Sequence, residues 1–342
     1  MAEIIPLKKH KLDFQEVIKC LTELCKEDLN SINTLILEKL DSSVPLIQEI
    51  AKYLILSGGK RLRPLITVSS FHLCHGNKLS TFNHIGLAAA VEFIHAATLL
   101  HDDVVDLSKD RRGKLTANEV WNNKTSVLVG DFLFSRSFQL MTKYGNMETL
   151  KILSDTSVVI SEAEVLEINN DKNLEMNEDT YFKIINGKTA SLFSAASEVG
   201  AISASTDKNK KIALKSFGVN FGMSFQLIDD AIDYVSDSKT MGKNIGDDFK
   251  EGKITLPVIL AYGRSNEEEK KFWKKTISKI NQNSNDFTKA IKIINKYNCI
   301  EDTITRAKHF ADVAVDSLSI FENNLYKESL IKLLKSSISR LS

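Results

Sequence analysis

One segment, Asn83–Asp106, must be buried on all sides if it forms a helix. It reads NHIGLAAAVEFIHAATLLHDDVVD, and at helical spacing its apolar residues cover nearly the whole circumference. Such a helix is stable only when neighbouring elements enclose it. The fold therefore needs a large core around one central helix, and a chain of 342 residues is long enough to build one.

The remainder of the chain also predicts helices. Only four prolines and 15 glycines interrupt it, and apolar residues recur three to four positions apart. No segment shows strand alternation. The sequence predicts an all-α fold with long helices at Ser31–Ser57, Asn83–Asp106, Lys124–Tyr144, Glu148–Asn169, Asp179–Ala204 and Lys208–Asp237, followed by shorter amphipathic helices such as Glu267–Lys275.

Composition and charge exclude several classes of protein. Apolar residues make up 43% and charged residues 26%, as in soluble globular proteins, and a net charge of +1 gives no general attraction to nucleic acid. Four scattered cysteines without metal-ligand spacing favour a reducing compartment. The first residues lack an apolar signal core, and Ile85–Leu100 is too short and mixed to span a membrane, so we expect a cytoplasmic protein without a transmembrane segment.

Two clusters of acids share the spacing DDxxD and follow apolar helical segments. They are DDVVD (Asp102, Asp103, Asp106) and DDAID (Asp229, Asp230, Asp233). Carboxylates four residues apart lie on one helix face and repel, and neither cluster contains a Lys or Arg. Clustered carboxylates suit Mg2+. The alternative, solvated acids at a helix C-terminus, is unfavourable because they oppose the helix dipole.

Basic segments accompany the acids. Magnesium held by few carboxylates usually also binds phosphates of a substrate, for which Arg and Lys are the usual partners. Each basic segment alone is more often a solvated surface, but together with the acids they indicate a phosphate ligand. None is a P-loop. The segments are SGGKRLRP (57–64), DRRGK (110–114), GKT (187–189) and MGKNIGDDFKEGK (241–253).

Taken in order, these segments resemble the trans-isoprenyl diphosphate synthases, which are head-to-tail prenyltransferases. The matching stretches lie between Gly58 and Lys253 and read GGKRLRP, VEFIHAATLLHDDVVDLSKDRRG, GKTA, FQLIDDAIDY, GKNIGDD and EGK. Their flanks are most similar to the long-chain, octaprenyl-type polyprenyl diphosphate synthases. The resemblance implies a single domain over residues 1–342, a bundle of long helices around a central cavity, that normally forms a homodimer. Within it we expect an N-terminal helical extension (1–30), a catalytic core (31–260) and C-terminal helices (261–342).

The resemblance also assigns roles to residues. Three Mg2+ ions would be bound by Asp102, Asp106 and Asp229, with Asp103, Asp230 and Asp233 orienting metals and waters. The diphosphate of isopentenyl diphosphate would be held by Lys60, Arg63, His95 and Arg112. The allylic diphosphate site would be formed by Arg111, Lys188, Thr189, Gln226, Lys243 and Lys253, with Lys188 also counted among the catalytic residues. Without this context, His95 and Gln226 would be interpreted as buried core residues.

The implied activity is Mg2+-dependent elongation of an allylic diphosphate by successive isopentenyl diphosphate units to an all-trans polyprenyl chain, octaprenyl in this branch. Such a chain typically serves as a quinone side chain, as in ubiquinone biosynthesis. One alternative is a geranylgeranyl synthase. A second is a terpene cyclase on the same scaffold, which would not need the isopentenyl site. A third is a regulatory subunit, which usually lacks acids in one or both clusters. Transient membrane contact during product release is left open.

Two small residues, Ala97 and Thr98, lie about one helical turn before Asp102. Short-chain relatives tend to carry an aromatic floor there, so the resemblance implies an open tunnel and a long product. Close helix packing is the alternative reason for small residues.

One departure from the family pattern concerns EAEVLE (162–167), where the long-chain pattern is GEVLQ. Ala163 then replaces glycine and Glu167 replaces glutamine, which either adds a carboxylate near the metals or faces solvent.

Overall fold

The computed structural model describes residues 13–75, 83–235 and 246–341, and these residues are almost entirely helical. The α-helices are α1 Phe14–Leu24, α2 Lys26–Lys39, α3 Pro45–Leu56, α4 Leu62–His75, α5 Asn83–Val105, α6 Ala117–Val120, α7 Asn123–Tyr144, α8 Met147–Asn169, α9 Glu178–Ile185, α10 Ser191–Ser203, α11 Lys208–Ile232, α12 Asp247–Glu251, α13 Leu256–Arg264, α14 Glu267–Trp273, α15 Asp286–Lys296, α16 Cys299–Ser317 and α17 Leu325–Ile338. Two π-helical turns, Asn186–Ala190 and Lys274–Ser278, and a 3₁₀ turn, Ser339–Leu341, complete the helical elements.

The central helix predicted from the sequence is confirmed as α5. It packs against α2, α4, α7 and α10, and its residues from His84 to Ile94 are all buried. By length and composition α5 is also the one helix among the described residues that would reach across a membrane, but 78% of its most apolar window is buried inside the protein. That burial is the property of a core helix.

The predicted helix Ser31–Ser57 is wrong as a single element. Helix α2 ends at Lys39, and α3 begins at Pro45, with residues between them outside any helix. Proline has no backbone N–H and is favoured in the first turn of a helix, where that donor would have no partner. Pro45 therefore starts a new helix, and the apolar periodicity continues across the break because both helices bury one face.

The predicted helix Asp179–Ala204 contains an interruption. Between α9 and α10, Asn186–Ala190 form a π-helical turn that keeps the chain helical but shifts the register of its side chains. Such turns often occur at functional sites. This one contains the GKT residues that the sequence pairs with the acids.

A short hairpin, absent from the sequence prediction, follows α5. Strands β1 (Asp110–Arg111) and β2 (Lys114–Leu115) pair antiparallel, with Arg111 opposite Lys114. The two connecting residues, Arg112 and Gly113, have φ of 59° and 74°. Positive φ at both positions is the requirement of a type I′ turn, which glycine meets without strain.

Helix α11 connects two hydrophobic clusters. Its first half contributes Leu214, Phe217 and Phe221 to the cluster that surrounds α5. Its second half contributes Leu227 and Ile228 to a second cluster formed with α9 and the helices from α13 to α16. The DDAID acids lie at the end of this helix, among residues that pack into the second cluster.

Candidate active site

The first acid cluster differs in burial from residue to residue. Asp103 is 1% exposed and accepts hydrogen bonds from Arg111 Nε at 2.9 Å and Nη2 at 2.7 Å. Asp102 is half-buried, and Asp106, an exposed residue, has Lys253 Nζ at 3.6 Å from its carboxylate. Basic side chains from distant segments therefore face acids that have no basic neighbour within their own cluster.

The hairpin places both of its arginines. Because Arg111 is in β1, its guanidinium reaches back to Asp103, and Gly113 N–H donates to Asp110 Oδ1 at 2.9 Å to fix the turn. Arg112 instead lies against Gly59, where a Cβ atom would come within 2.9 Å of Arg112 Nη1. The GGKRLRP segment and the RRG turn are thus in contact, and Gly59 makes the room.

The second cluster lies in a chain of hydrogen bonds. Thr189 Oγ1 donates to Gln226 Oε1 at 2.8 Å, and Gln226 Nε2 donates to Asp230 Oδ1 at 2.7 Å. The other oxygen of Asp230 accepts from the Tyr181 hydroxyl at 2.5 Å. Burial raises the pKa of Asp230 even though both bonds act to lower it. Gln226 is thus a polar residue that links two predicted site residues, not an isolated core amide.

The other two acids of this cluster contact segments far away in sequence. Asp233 Oδ2 accepts from the backbone N–H of Asp248 at 3.0 Å. Asp229 Oδ1 accepts from Arg340 Nη1 at 2.6 Å, and the Arg340 guanidinium lies over the rings of Phe225 and Phe14 at 4.6 and 5.0 Å. Both ends of the described chain therefore reach the second cluster.

Lys188, in the π-helical turn, lies near the first cluster and pairs with two acids of α8. Its Nζ donates to Glu164 Oε2 at 2.9 Å and to Glu167 Oε2 at 2.6 Å. Burial raises the pKa of Asp102 to about 6, with Asp106 and Glu167 adding to the rise and Lys188 opposing it. Glu167 also raises the pKa of Asp230. Glu167 therefore lies close enough to act on one acid of each cluster.

The two departures from the long-chain pattern are both explained by this turn. Glu167 pairs with Lys188, so its carboxylate contacts the site, although its side chain is 38% exposed. Ala163 packs against Gly187, where a Cβ atom would come within 2.5 Å of the Ala163 Cβ. Helix α8 and the π-helical turn are in such close contact that residue 187 must be glycine when residue 163 is alanine.

A separate group of basic residues surrounds His95. Burial and the nearby guanidinium groups of Arg63 and Arg112 hold the pKa of His95 well below its usual range. Arg63 lies 4.4 Å over the Phe193 ring, and its Nε is buried without a hydrogen-bond partner. Burial lowers the pKa of Arg63 to about 10. Guanidinium groups gathered around one point in this way favour the binding of an anion.

Two further residues hold the GGKRLRP segment in place. Arg61, at φ 48°, forms an ion pair with Glu92 on α5, and its Nη2 donates to the Ile55 carbonyl at 3.0 Å. Lys60 Nζ lies 4.7 Å from the centre of the Phe14 ring. Arg61 is therefore the arginine of this segment that anchors the loop, and its neighbours Lys60 and Arg63 are the ones grouped with the predicted isopentenyl site.

The two small residues before the acids have different surroundings. Ala97 is 1% exposed and belongs to the hydrophobic cluster around α5. Thr98 is half-buried, like His95 and Asp102 on the same face of the helix, and its hydroxyl donates to the His95 carbonyl at 2.9 Å. Thr98 is therefore the one that lies on the open side of α5.

Several residues of this site are missing from the sequence prediction. Glu164 and Asp248 lie inside quoted motifs and could have been included on that ground. Tyr181, Phe14 and Arg340 carry no local signal, since only the tertiary fold brings them to the acids. Lys243, predicted to hold the allylic diphosphate, lies outside the residues that the structure describes.

Comparisons with known proteins identify the family. The polyprenyl synthetase family model matches residues 44–294. The chain is 39% identical over 322 residues to the octaprenyl diphosphate synthase of Escherichia coli (strain K12), covering 94% of this chain and 98% of that protein.

Solved structures give the same result. A decaprenyl diphosphate synthase from Rhodobacter capsulatus superposes with a TM-score of 0.90 at 44% identity, covering 95% of this chain and 99% of that one. A polyprenyl synthase from Caulobacter crescentus CB15, complexed with calcium and isoprenyl diphosphate, gives 0.89 at 45% identity, covering 95% and 98%. The chain belongs to the polyprenyl synthetase family.

Proposed function

We propose that this protein is a prenyltransferase that elongates an allylic diphosphate with isopentenyl diphosphate to a long all-trans polyprenyl diphosphate. The observation that carries the proposal is the pairing of two different sites. Glu167, which pairs with Lys188, acts on an acid of each carboxylate cluster, and the guanidinium groups of Arg63 and Arg112 lie near His95. One site suits a metal-bound diphosphate and the other a diphosphate bound directly by the protein.

The donor set fits magnesium. Asp102, Asp106 and Asp229 offer oxygen ligands at the C-terminal ends of α5 and α11, and oxygen is what Mg2+ prefers. The Caulobacter relative was crystallised with calcium, another divalent ion that prefers oxygen ligands. We propose three ions, held by these residues, which when bound neutralise the diphosphate as it leaves.

The chain's own residues supply binding and orientation. Lys188 contacts Glu164 and Lys253 contacts Asp106. Both lysines are placed to add positive charge beside the allylic diphosphate. Arg63, Arg112 and neutral His95 would hold isopentenyl diphosphate with its double bond toward the allylic carbon. Enclosure by the apolar cluster around α5 excludes water, which would quench a carbocation.

The product is proposed to be octaprenyl diphosphate, destined for a quinone side chain. The support is the 39% identical octaprenyl diphosphate synthase of E. coli together with the small Thr98 on the open side of α5. A geranylgeranyl product is the alternative within the same chemistry.

Incubation of the pure protein with labelled isopentenyl diphosphate, farnesyl diphosphate and Mg2+, followed by product sizing, tests this function. We expect a predominant chain of about eight isoprene units, formed by repeated alignment of the two substrates. Predominant accumulation of geranylgeranyl diphosphate would assign the shorter-chain alternative. Conversion of the allylic diphosphate without consumption of isopentenyl diphosphate would assign a terpene cyclase, and no conversion at all a regulatory subunit.

We further propose that the protein works in the cytoplasm as a homodimer. Exposed apolar side chains lie on neighbouring helices, among them Leu128 on α7 and Val158, Val165 and Ile168 on α8, each more than half exposed. Groups of exposed apolar residues usually mark an interaction surface. Sedimentation of wild-type protein is expected to show a dimer and of Leu128→Asp a monomer. A monomeric wild type would contradict the proposal.

A further inference from the structure

A group of potential metal ligands lies outside the site described above. Asp28 on α2, His72 on α4 and His84 on α5 bring a carboxylate oxygen and two imidazole nitrogens within 4.8 Å of one another. Asp28 Oδ2 is 2.5 Å from His72 Nε2, and Asp28 Oδ1 is 3.2 Å from His84 Nε2. Three different helices thus converge on one small volume.

This cluster is remote from the DDxxD acids. His84 lies in the first turn of α5 and Asp102 at its other end, which at 1.5 Å per residue separates them by about 27 Å. No residue assigned to either diphosphate belongs to the cluster. A ligand bound here would therefore be independent of the substrates.

The imidazole rings are held in fixed orientations. The His84 ring stacks on Phe71 with centres 3.8 Å apart and planes at 7°, and the His72 ring stacks on Tyr326 at 4.7 Å and 12°. Both rings keep their Nε2 atoms directed at Asp28. Rings fixed by packing in this way lose little freedom when they bind an ion.

The contacts around the cluster define its donor set. The Asp28 carboxylate contacts an imidazole nitrogen through each of its oxygens. The nearby Cys25 Sγ instead contacts Ser69 Oγ at 3.8 Å. The donor set is therefore two imidazoles and one carboxylate.

Access and geometry leave room for an ion. The side chain of His84 is 3% exposed, but those of Asp28 and His72 are 20% and 28% exposed, so the cluster opens to solvent on one side. Tetrahedral zinc with bonds of about 2.0–2.1 Å places its ligand atoms about 3.3 Å apart. Asp28 Oδ1 and His84 Nε2 already have nearly that separation, at 3.2 Å. A small outward shift of the more exposed His72 would bring its Nε2 to the same distance from the carboxylate.

We propose that Asp28, His72 and His84 form a binding site for a nitrogen-preferring divalent cation such as Zn2+, with solvent as the fourth ligand. Imidazole nitrogen distinguishes this site from the all-carboxylate clusters, which favour Mg2+. Because the ligands come from α2, α4 and α5, the ion would tie the N-terminal helices to the central helix and raise thermal stability.

Zinc binding to the full-length protein tests the proposal. The carboxylate clusters are first saturated with excess Mg2+, and bound zinc is then counted by equilibrium dialysis and elemental analysis. We expect one zinc equivalent per chain in wild type and its loss in His72→Gln and in Asp28→Asn. His309→Gln, an exposed histidine on α16, is the matched control and should retain the zinc.

Two further measurements separate binding from misfolding. With Co2+ in place of Zn2+, the wild type should show visible absorption of a four-coordinate nitrogen and oxygen site, and His72→Gln should not. Zinc should raise the melting temperature of the wild type and leave that of His72→Gln unchanged. Equal zinc content in wild type and both variants, or no zinc in the wild type, would overturn the proposal and leave the cluster as a hydrogen-bonded link between helices.

Discussion

Arg340 donates a hydrogen bond from Nη1 to Oδ1 of Asp229 at 2.6 Å, which brings the last described turn of the chain onto the second acid cluster. The two side chains are 10% and 24% exposed. The guanidinium also lies over Phe225 and Phe14, so it is held by the first helix as well as by an acid. Both ends of the described chain therefore meet beside the second acid cluster.

A double-mutant cycle between Arg340→Met and Asp229→Asn should show energetic coupling. Removing either partner leaves the other charge partly buried without its counterpart, so each single change is expected to lower the free energy of unfolding by about 1–3 kcal/mol. The double variant should lose less than the sum. Urea unfolding curves measure this, and strictly additive losses would show that the contact contributes nothing.

Glu167→Gln should weaken magnesium binding. The substitution removes a negative charge that acts on both Asp102 and Asp230 and deprives Lys188 of one of its two carboxylates. We expect the Mg2+ concentration for half-maximal activity to rise about fivefold, from ~1 kcal/mol of lost attraction. Glu162→Gln, on the exposed face of the same helix, is the control and should leave it unchanged.

Tyr181→Phe should move the acid limb of the pH–activity profile upward. The Tyr181 hydroxyl donates to Asp230 and lowers a pKa that burial raises. Without it the carboxylate takes up a proton at higher pH, by about one pH unit for a lost bond of ~1.5 kcal/mol. Tyr262→Phe removes a similar bond, to Glu175 outside the site, and is the control. An unshifted limb in Tyr181→Phe would contradict the assignment of Asp230.

The same raised pKa makes a prediction about folding. Because Asp230 is protonated more readily in the folded than in the unfolded state, its burial favours the fold at low pH and opposes it as pH rises through the raised pKa. Asp230→Asn should therefore gain stability relative to wild type at pH 8 more than at pH 5. Unfolding curves at both values measure this, and a pH-independent difference would show that folding does not raise the pKa of Asp230.

Bulky residues before the first acid cluster should shorten the product. Thr98 lies on the open side of α5, so Thr98→Phe is expected to block the growing chain while stability stays near wild type. Ala97→Phe should also shorten the product, but it should lower the free energy of unfolding by about 1–3 kcal/mol, because Ala97 is 1% exposed in a packed cluster. Leu56→Phe, at an exposed position on α3, is the control. Unchanged product length in Thr98→Phe, by mass analysis, would contradict the tunnel.

The local sequence determined the helices and the motifs they carry. An apolar circumference from Asn83 onward predicts the buried central helix, and the DDxxD spacing places each acid pair on one helix face, because both depend only on residues within a few turns. The break at Pro45 was missed because apolar periodicity continues on both sides of it.

Only the tertiary structure decided which charges meet. The sequence shows acids without basic residues inside their clusters, yet the fold brings Arg111 to Asp103, Lys188 to Glu167 and Arg340 to Asp229. Arg340 and Asp229 are 111 residues apart in the chain. Such pairs depend on how helices pack, and packing is set by the summed burial of many side chains rather than by any local pattern.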